Sequence, residues 1–330
     1  MALIAIEPLP WHADPWARVL AMRGREQLPH ALLLHGRAGL GKQRFASRLA
    51  ASLLCEAPGE EGAACGRCRS CELYRAGTHP DFLILEPEDE GKDIPIDRVR
   101  EMTQFAALKG SQGVFKVIVL GPAERMNRHA ANSLLKTLEE PPANTVLLLV
   151  SHAPSLLPAT VRSRCQKLTF GTPSRESSGP WLAERVPPDT EIDTLLRLAS
   201  GSPFHALELA KRGALGQRAA VLKDVRALAA GRADPVAVAA AWNGLGLADA
   251  LHWLYGLVSD VIRLKQGAAS SQIVNRDAEA DLQPLSEALE FKLLFKLLDK
   301  CLESRRSLER HSNLNPQFQL EDIAITWTGL

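Results

Sequence analysis

Apolar residues in the first half of the chain gather in short runs, and longer stretches of helical spacing separate them. "HALLLHG" (30–36), "PDFLILEP" (80–87), "FKVIVLGP" (115–122), "TVLLLVSH" (145–152) and "QKLTFG" (166–171) read as five strands, the first of them buried. Between them, "KQRFASRLAASLLC" (42–55) sets Phe45, Leu49, Leu53 and Leu54 on one helical face. "IDRVREMTQFAALKG" (96–110) reads as a helix with Asp97 near its start and Gly110 as a stop signal. "RHAANSLLKTLEEPP" (128–142) reads as another, closed by two prolines. Strands alternating with helices predict a parallel sheet covered on both faces. After "GTPSRESSGP" (171–180) the pattern changes to short amphipathic helices near 189–199 and 203–212, with Gly201 between them. From Gly216 onward it is helical throughout, including an expected helix over 287–306, "EALEFKLLFKLLDKCLESRR". These shifts divide the chain at 1–170, 171–214 and 215–330. "KQGAASSQIVNRDAEAD" (265–281) is the expected mobile loop. No internal repeat is visible.

Composition narrows the function classes. The 330 residues are 46% hydrophobic, ample for two or three globular cores, and the formal net charge is +1. Near-neutral charge argues against a free-standing, strongly basic nucleic-acid binder, although one face can still meet phosphates. The N-terminal "MALIAIEPLPWHADPW" lacks a basic leader pattern, and no run reaches the length of a membrane span. A soluble, cytoplasmic protein is expected.

"HGRAGLGKQRF" (35–45) carries the spacing of a phosphate-binding loop, with Gly36, Gly39, Gly41 and Lys42 in place. Such a loop aims backbone N–H groups and a helix N-terminus at an anion. Here it follows a strand and opens a helix, the context that gives the motif weight. Where a Ser or Thr hydroxyl would hold Mg²⁺, Gln43 stands instead. At the end of the third strand, where the magnesium carboxylate and a water-activating glutamate belong, the chain has Gly121 and Pro122. Glu124, two residues further on, is a poor substitute. ATP hydrolysis is not expected, while weak nucleotide binding stays open.

Four of the six cysteines crowd one segment: Cys55, Cys65, Cys68 and Cys71. Clustered cysteines in a cytoplasmic protein favour a metal over disulfides. The C-x-x-C steps suit a knuckle with four sulfur ligands around one structural Zn²⁺. The intervening "GEEGAACGRCRSC" is too polar and glycine-rich to pack a core unaided, so a metal staple makes physical sense. Arg67, Arg69 and Arg75 give some support to a knuckle that touches nucleic acid. Cys301, on an apolar helical face, is expected in a core.

"ANSLLKTLEEPPANTVLLLVSHAPSLLPATVRSRCQKLTF" (131–170) carries the resemblance. With the degenerate phosphate loop and the four-cysteine insertion before "THPDF", the chain resembles the AAA+ clamp-loader subunits of bacterial DNA polymerase III. The likeness is ordered over residues 1–215 and weaker beyond. It implies an AAA+ module with sheet order 5-1-4-3-2 and a small zinc knuckle insertion, then a three-helix lid and an all-α collar domain. It further implies a non-catalytic subunit of a hetero-pentameric ring with gamma/tau motor subunits and the delta subunit, which loads the sliding clamp onto primer-template DNA. Arg164, within Ser163-Arg164-Cys165, matches the arginine finger that enters a neighbour's ATP site, and spacing alone leaves Arg162 as the rival. Ser151 matches a sensor position. Phe204 and His205 stand where active relatives carry a nucleotide-sensing arginine. The competing readings are a motor subunit that hydrolyses ATP itself and a zinc-dependent nucleic-acid-binding accessory protein.

Overall fold

The computed structural model describes residues 7–89, 92–108, 110, 115–309 and 314–328. The first six residues of the N-terminal stretch read above, and Lys109 at the end of the helix expected over 96–110, lie outside them. The chain forms two compact units. One runs to Trp181 and includes Ser202–His205; the other comprises Leu182–Gly201 and Ala206 onward.

The first unit is built on β1 (Ala31–His35), β2 (Phe82–Leu85), β3 (Lys116–Leu120), β4 (Thr145–Ser151) and β5 (Gln166–Thr169). They form one parallel sheet in the order β2-β3-β4-β1-β5, the expected order read from the other edge. Alternation along each strand sorts side chains to two faces. On one face Leu32, Leu34, Val117 and Val119 pack with Trp16 and Val19 of α1 (Ala13–Gly24) and Phe45, Leu49 and Leu53 of α2 (Lys42–Leu54). A short helix α3 (Arg69–Ala76) follows α2 through the cysteine segment. On the other face Leu33, Ile118 and Leu120 meet Val99 and Met102 of α4 (Ile96–Ala107), Leu134 and Leu138 of α5 (Arg128–Glu139), and Val161 of α6 (Ala159–Arg162). The central strands β1, β3 and β4 are buried almost throughout, as their continuous apolar runs require, whereas the edge strands leave Ile84 of β2 and Gln166, Lys167 and Thr169 of β5 exposed.

The stretch 171–180, expected as a break in character, enters helix α7 (Arg175–Ala183), which carries Pro180 internally. Ser174 starts it: its carbonyl accepts from the amides of Ser177 and Ser178 and from both their hydroxyls.

The second unit is all-helical: α8 (Ile192–Leu198), the body of α9 (Pro203–Lys211), α10 (Ala214–Ala229), α11 (Pro235–Leu245), α12 (Leu247–Lys265), α13 (Glu279–Ala288), α14 (Phe291–Glu309) and α15 (Pro316–Trp327). Asp234 and Asn315 cap α11 and α15 through side-chain oxygens, each followed by proline at the first helical position. Two expectations change here. The helix expected over 287–306 is interrupted at Leu289, whose backbone is extended, although no glycine or proline marks the break. The segment 265–281 is anchored rather than free. Asn275 donates its amide (2.7 Å) and its Nδ2 (2.7 Å) to the fully buried Asp260, and Arg218 donates to Asn275 Oδ1 at 2.8 Å and pairs with Asp277. Arg197 of α8 donates to Val274 O at 3.2 Å, which ties that helix into the same network. Its polar composition reads as a loop because its partners lie up to about eighty residues away in sequence.

Candidate functional site

The phosphate loop links β1 to α2, with Gly41 in a left-handed conformation as the residue before the helix. Gly39 and Gly41 are both at positive φ and have no room for a side chain. A Cβ on Gly39 would stand 3.0 Å from the His205 amide nitrogen, and one on Gly41 would stand 2.6 Å from Leu9 and 2.9 Å from the Phe204 ring. Lys42 is buried and donates from Nζ to the carbonyls of Gly36 (2.6 Å) and Arg37 (2.5 Å). Burial pulls its pKa down to about 8, against the opposing pull of Glu124. The lysine therefore satisfies itself within its own loop.

The segment Ser202–His205 covers this loop within the first unit. Phe204 donates its amide to Gly39 O at 3.1 Å. Its ring meets Trp181 edge-on at 4.8 Å and Trp11 at 6.2 Å, and the Arg44 guanidinium lies over it at 4.7 Å. Trp11 Nε1 and His12 Nε2 both reach the Leu40 carbonyl at 2.9 Å. An aromatic cluster thus occupies the ground where the resemblance implies a nucleotide-sensing arginine in active relatives.

Beside it, the place of the missing carboxylate is filled. A Cβ on Gly121 would fall 2.9 Å from Val150 Cβ and 3.1 Å from Gln43 Oε1. Gln43 in turn donates from Nε2 to Glu86 Oε1 at 3.0 Å, and burial raises the Glu86 pKa. The two departures in sequence are one interlocked feature in space. Glu124 serves the backbone instead. Its Oε1 accepts from the amides of His152 (2.7 Å) and Ala153 (3.1 Å), just past β4. Its Oε2 and the Ser151 hydroxyl are buried without hydrogen-bond partners among the described residues. The role of Glu124 in holding the loop after β4 was missed in the sequence; its place after a strand-end proline was the only signal.

The four cysteines come together as their spacing predicts. The Sγ atoms of Cys55, Cys65, Cys68 and Cys71 all lie within 4.8 Å of one another, with Cys55–Cys68 and Cys65–Cys71 at 4.0 Å. A tetrahedron of thiolates around zinc has sulfur separations of about 3.8 Å, given Zn–S distances of about 2.3 Å. The cluster can hold one metal ion and leaves no sulfur over. The Cys65 amide donates to Cys55 Sγ at 3.2 Å and the Cys71 amide to Cys68 Sγ at 3.4 Å, the turn geometry of a metal knuckle. Hydrogen bonds from the amides of Arg67 and Cys68 lower the Cys65 thiol to about 6, while burial raises those of Cys55 and Cys71. Behind the cluster, Ser70 donates to Leu54 O at 2.5 Å and meets His79 Nε2 at 2.7 Å; His79 Nδ1 accepts from the Asp81 amide at 3.0 Å. With Ser70's hydroxyl hydrogen on Leu54 and Nδ1 accepting, His79 carries its proton on Nε2. This chain of hydrogen bonds ties the knuckle to the start of β2. Arg75 donates to Gly66 O at 2.5 Å, so one of the three knuckle arginines is used internally.

Arg164 follows α6. Its Nη2 pairs with Glu139 Oε1 at 2.5 Å, its Nη1 donates to Thr160 O at 3.0 Å, and about a third of its side chain is exposed. Ser163 is exposed and donates to the same carbonyl at 3.1 Å. Cys165 is buried, and burial pushes its thiol up to about 11, so it serves as a core anchor beneath the arginine. The rival Arg162 has its Nε buried without a hydrogen-bond partner among the described residues.

A family model described as DNA polymerase III, delta subunit, matches residues 15–174, and another, described as DNA polymerase III, delta subunit, C terminal, matches residues 212–329. The chain is 37% identical over 323 residues to the DNA polymerase III subunit delta' of Pseudomonas aeruginosa, covering 97% of each chain. It is 32% identical to the subunit delta' of Escherichia coli, covering 96% of this chain and 94% of the other. A solved structure of a DNA polymerase III gamma subunit-related protein from Thermotoga maritima is similar with a TM-score of 0.47 and 19% identity, covering 94% of this chain and 98% of that one.

Proposed function

Because this chain belongs to the delta-prime subunit family of DNA polymerase III, we propose that it is a ring member that acts on ATP only at its neighbour's site. The family role is that of a non-catalytic clamp-loader subunit. The observation that carries the finer reading is the interlock of Gln43, Gly121 and Val150, which leaves no space for a magnesium carboxylate. Gly36, Gly39, Gly41 and Lys42 then form a retained scaffold. Lysine self-satisfaction and the Phe204 cover support weak or no nucleotide binding there.

On this reading Arg164, flanked by Ser163 and Cys165, is the trans-acting finger. Its partly exposed, rigid fork of donors suits the oxygens of a neighbour's γ-phosphate, whereas Arg162, of similar exposure, keeps its Nε buried. The four cysteines hold one structural Zn²⁺, which gives the polar insertion a folded core. The partners are the gamma/tau motor subunits and the delta subunit in a pentameric ring, with the sliding clamp and primer-template DNA reached through that complex. The division at 1–170, 171–214 and 215–330 corresponds to AAA+ module, lid and collar, and the protein works in the cytoplasm. Among the described residues no helix is long and apolar enough to cross a membrane.

The test is reconstitution. The isolated chain has no ATPase, and rings carrying Arg164→Ala assemble but hydrolyse ATP more slowly at the adjacent motor site. Fingers that are the main stabiliser contribute about 10³–10⁵ in rate, and the loss in total ring turnover is smaller because other interfaces act independently. Lysine at 164 rescues poorly, lacking the planar fork. Normal rates from Arg164→Ala rings with slow Arg162→Ala rings would assign the finger to Arg162.

A further inference from the structure

Glu139 is the last residue of α5, where the helix dipole favours cations and disfavours a carboxylate. Another acid, Glu140, follows it, so helix stability gives no reason for this residue. Its carboxylate instead meets Arg164 across twenty-five positions of sequence, at 2.5 Å from Nη2. Both backbones are fixed from below: Leu138, next to Glu139, and Cys165, next to Arg164, are buried in the same core on one face of the sheet. Only the two side chains retain freedom, and their contact removes it.

We propose that Glu139 is the positioning residue of the Arg164 finger, holding the guanidinium in one place before a neighbour's phosphate arrives. The inference rests on the reading of Arg164 as that finger. The donor arithmetic permits it. Glu139 takes one hydrogen on Nη2 and Thr160 O takes one on Nη1, which leaves the second hydrogen on each terminal nitrogen, and the Nε hydrogen, for an external acceptor. Two of the five guanidinium hydrogens are thus engaged and three remain. An arginine ordered in the free subunit loses less rotamer freedom when it engages the transition state, so the tether acts on rate rather than on nucleotide affinity. As a half-exposed pair it adds little to folding.

The experiment uses complete rings built with motor subunits whose own finger arginines are changed to alanine, so that turnover reads this interface alone. Four variants of the present chain are compared with wild type: Arg164→Ala, Glu139→Ala, Glu139→Gln and the double alanine. Thermal melts of each isolated chain check that it folds. Glu139→Ala lowers kcat by about threefold to fivefold, the rate equivalent of an exposed ion pair, with KM for ATP unchanged. Glu139→Gln stays closer to wild type because its amide oxygen still accepts from Nη2. The double variant matches Arg164→Ala alone, since a tether has no effect without its finger. A wild-type rate for Glu139→Ala beside a slow Arg164→Ala ring overturns the positioning role and leaves the finger intact. So does a strictly additive double variant, and a faster Glu139→Ala ring shows the contact to be a restraint. A wild-type rate for Arg164→Ala rejects the finger reading, and the tether with it.

Discussion

His12 is a neutral ring packed edge-on against Phe45 and Phe170, donating from Nε2 to Leu40 O. Burial, with Arg48 and Lys42 nearby, lowers its pKa from 6.5 to about 4. Below pH 6.5 the unfolded chain takes up a proton that the folded chain refuses, so stability falls as pH drops and levels off below about 4. Over that window the loss approaches about 3 kcal/mol, at about 1.4 kcal/mol per pH unit. Urea titrations of the wild type and of His12→Gln, which keeps a donor for Leu40, should show the wild type losing its advantage between pH 6.5 and 4. A difference that does not change with pH would count against this. Gly121 supplies a second prediction. Gly121→Asp, alone or with Pro122→Glu, restores the expected acids in sequence but drives a Cβ into Val150 and Gln43. It should cost about 1–3 kcal/mol by overpacking and yield no ATPase. The absence of the acids was legible in the sequence; the filled space behind it was not, because Val150 belongs to another strand.

Among elements, the three central strands were legible because two-sided burial writes continuous apolar runs, and the more exposed edge strands and the helices showed through their place in the alternation. The cysteine cluster was legible because its four thiols are close in sequence. What was not legible depended on distant partners: the anchoring of 265–281 by Asp260 and Arg218, and the use of Phe204 as a cover for the phosphate loop. The Arg164 contact belongs to the same class, since Glu139 reads from sequence only as a helix end. The knuckle carries its own prediction. Chelation, or Cys68→Ser, should release about one zinc per chain and speed amide exchange over residues 56–78 about tenfold or more, with β1, β3 and β4 still protected. Those strands draw their stability from the sheet cores and not from sulfur. Equal exchange with and without metal would remove zinc from the account.

For the whole molecule, two units with separate cores predict two unfolding steps rather than one. Asp260 tests this. Its carboxylate accepts from Arg263, Val274 and Asn275 while fully buried, so Asp260→Ala strands several donors at once. The expected cost is about 3–5 kcal/mol, confined to the calorimetric transition of the helical unit, with the sheet unit melting as before. A single transition shifted as a whole would show that the units unfold together. The interlock at Gly121 also bears on descent. A lineage regaining ATP chemistry from this chain would have to change Gly121, Pro122, Gln43 and Val150 together, because an acid at 121 alone meets occupied space. Each intermediate would bear the strain before any activity rewarded it. Packing would therefore act as an evolutionary ratchet, in which the filled space behind Gly121 opposes each single step toward regaining the acids.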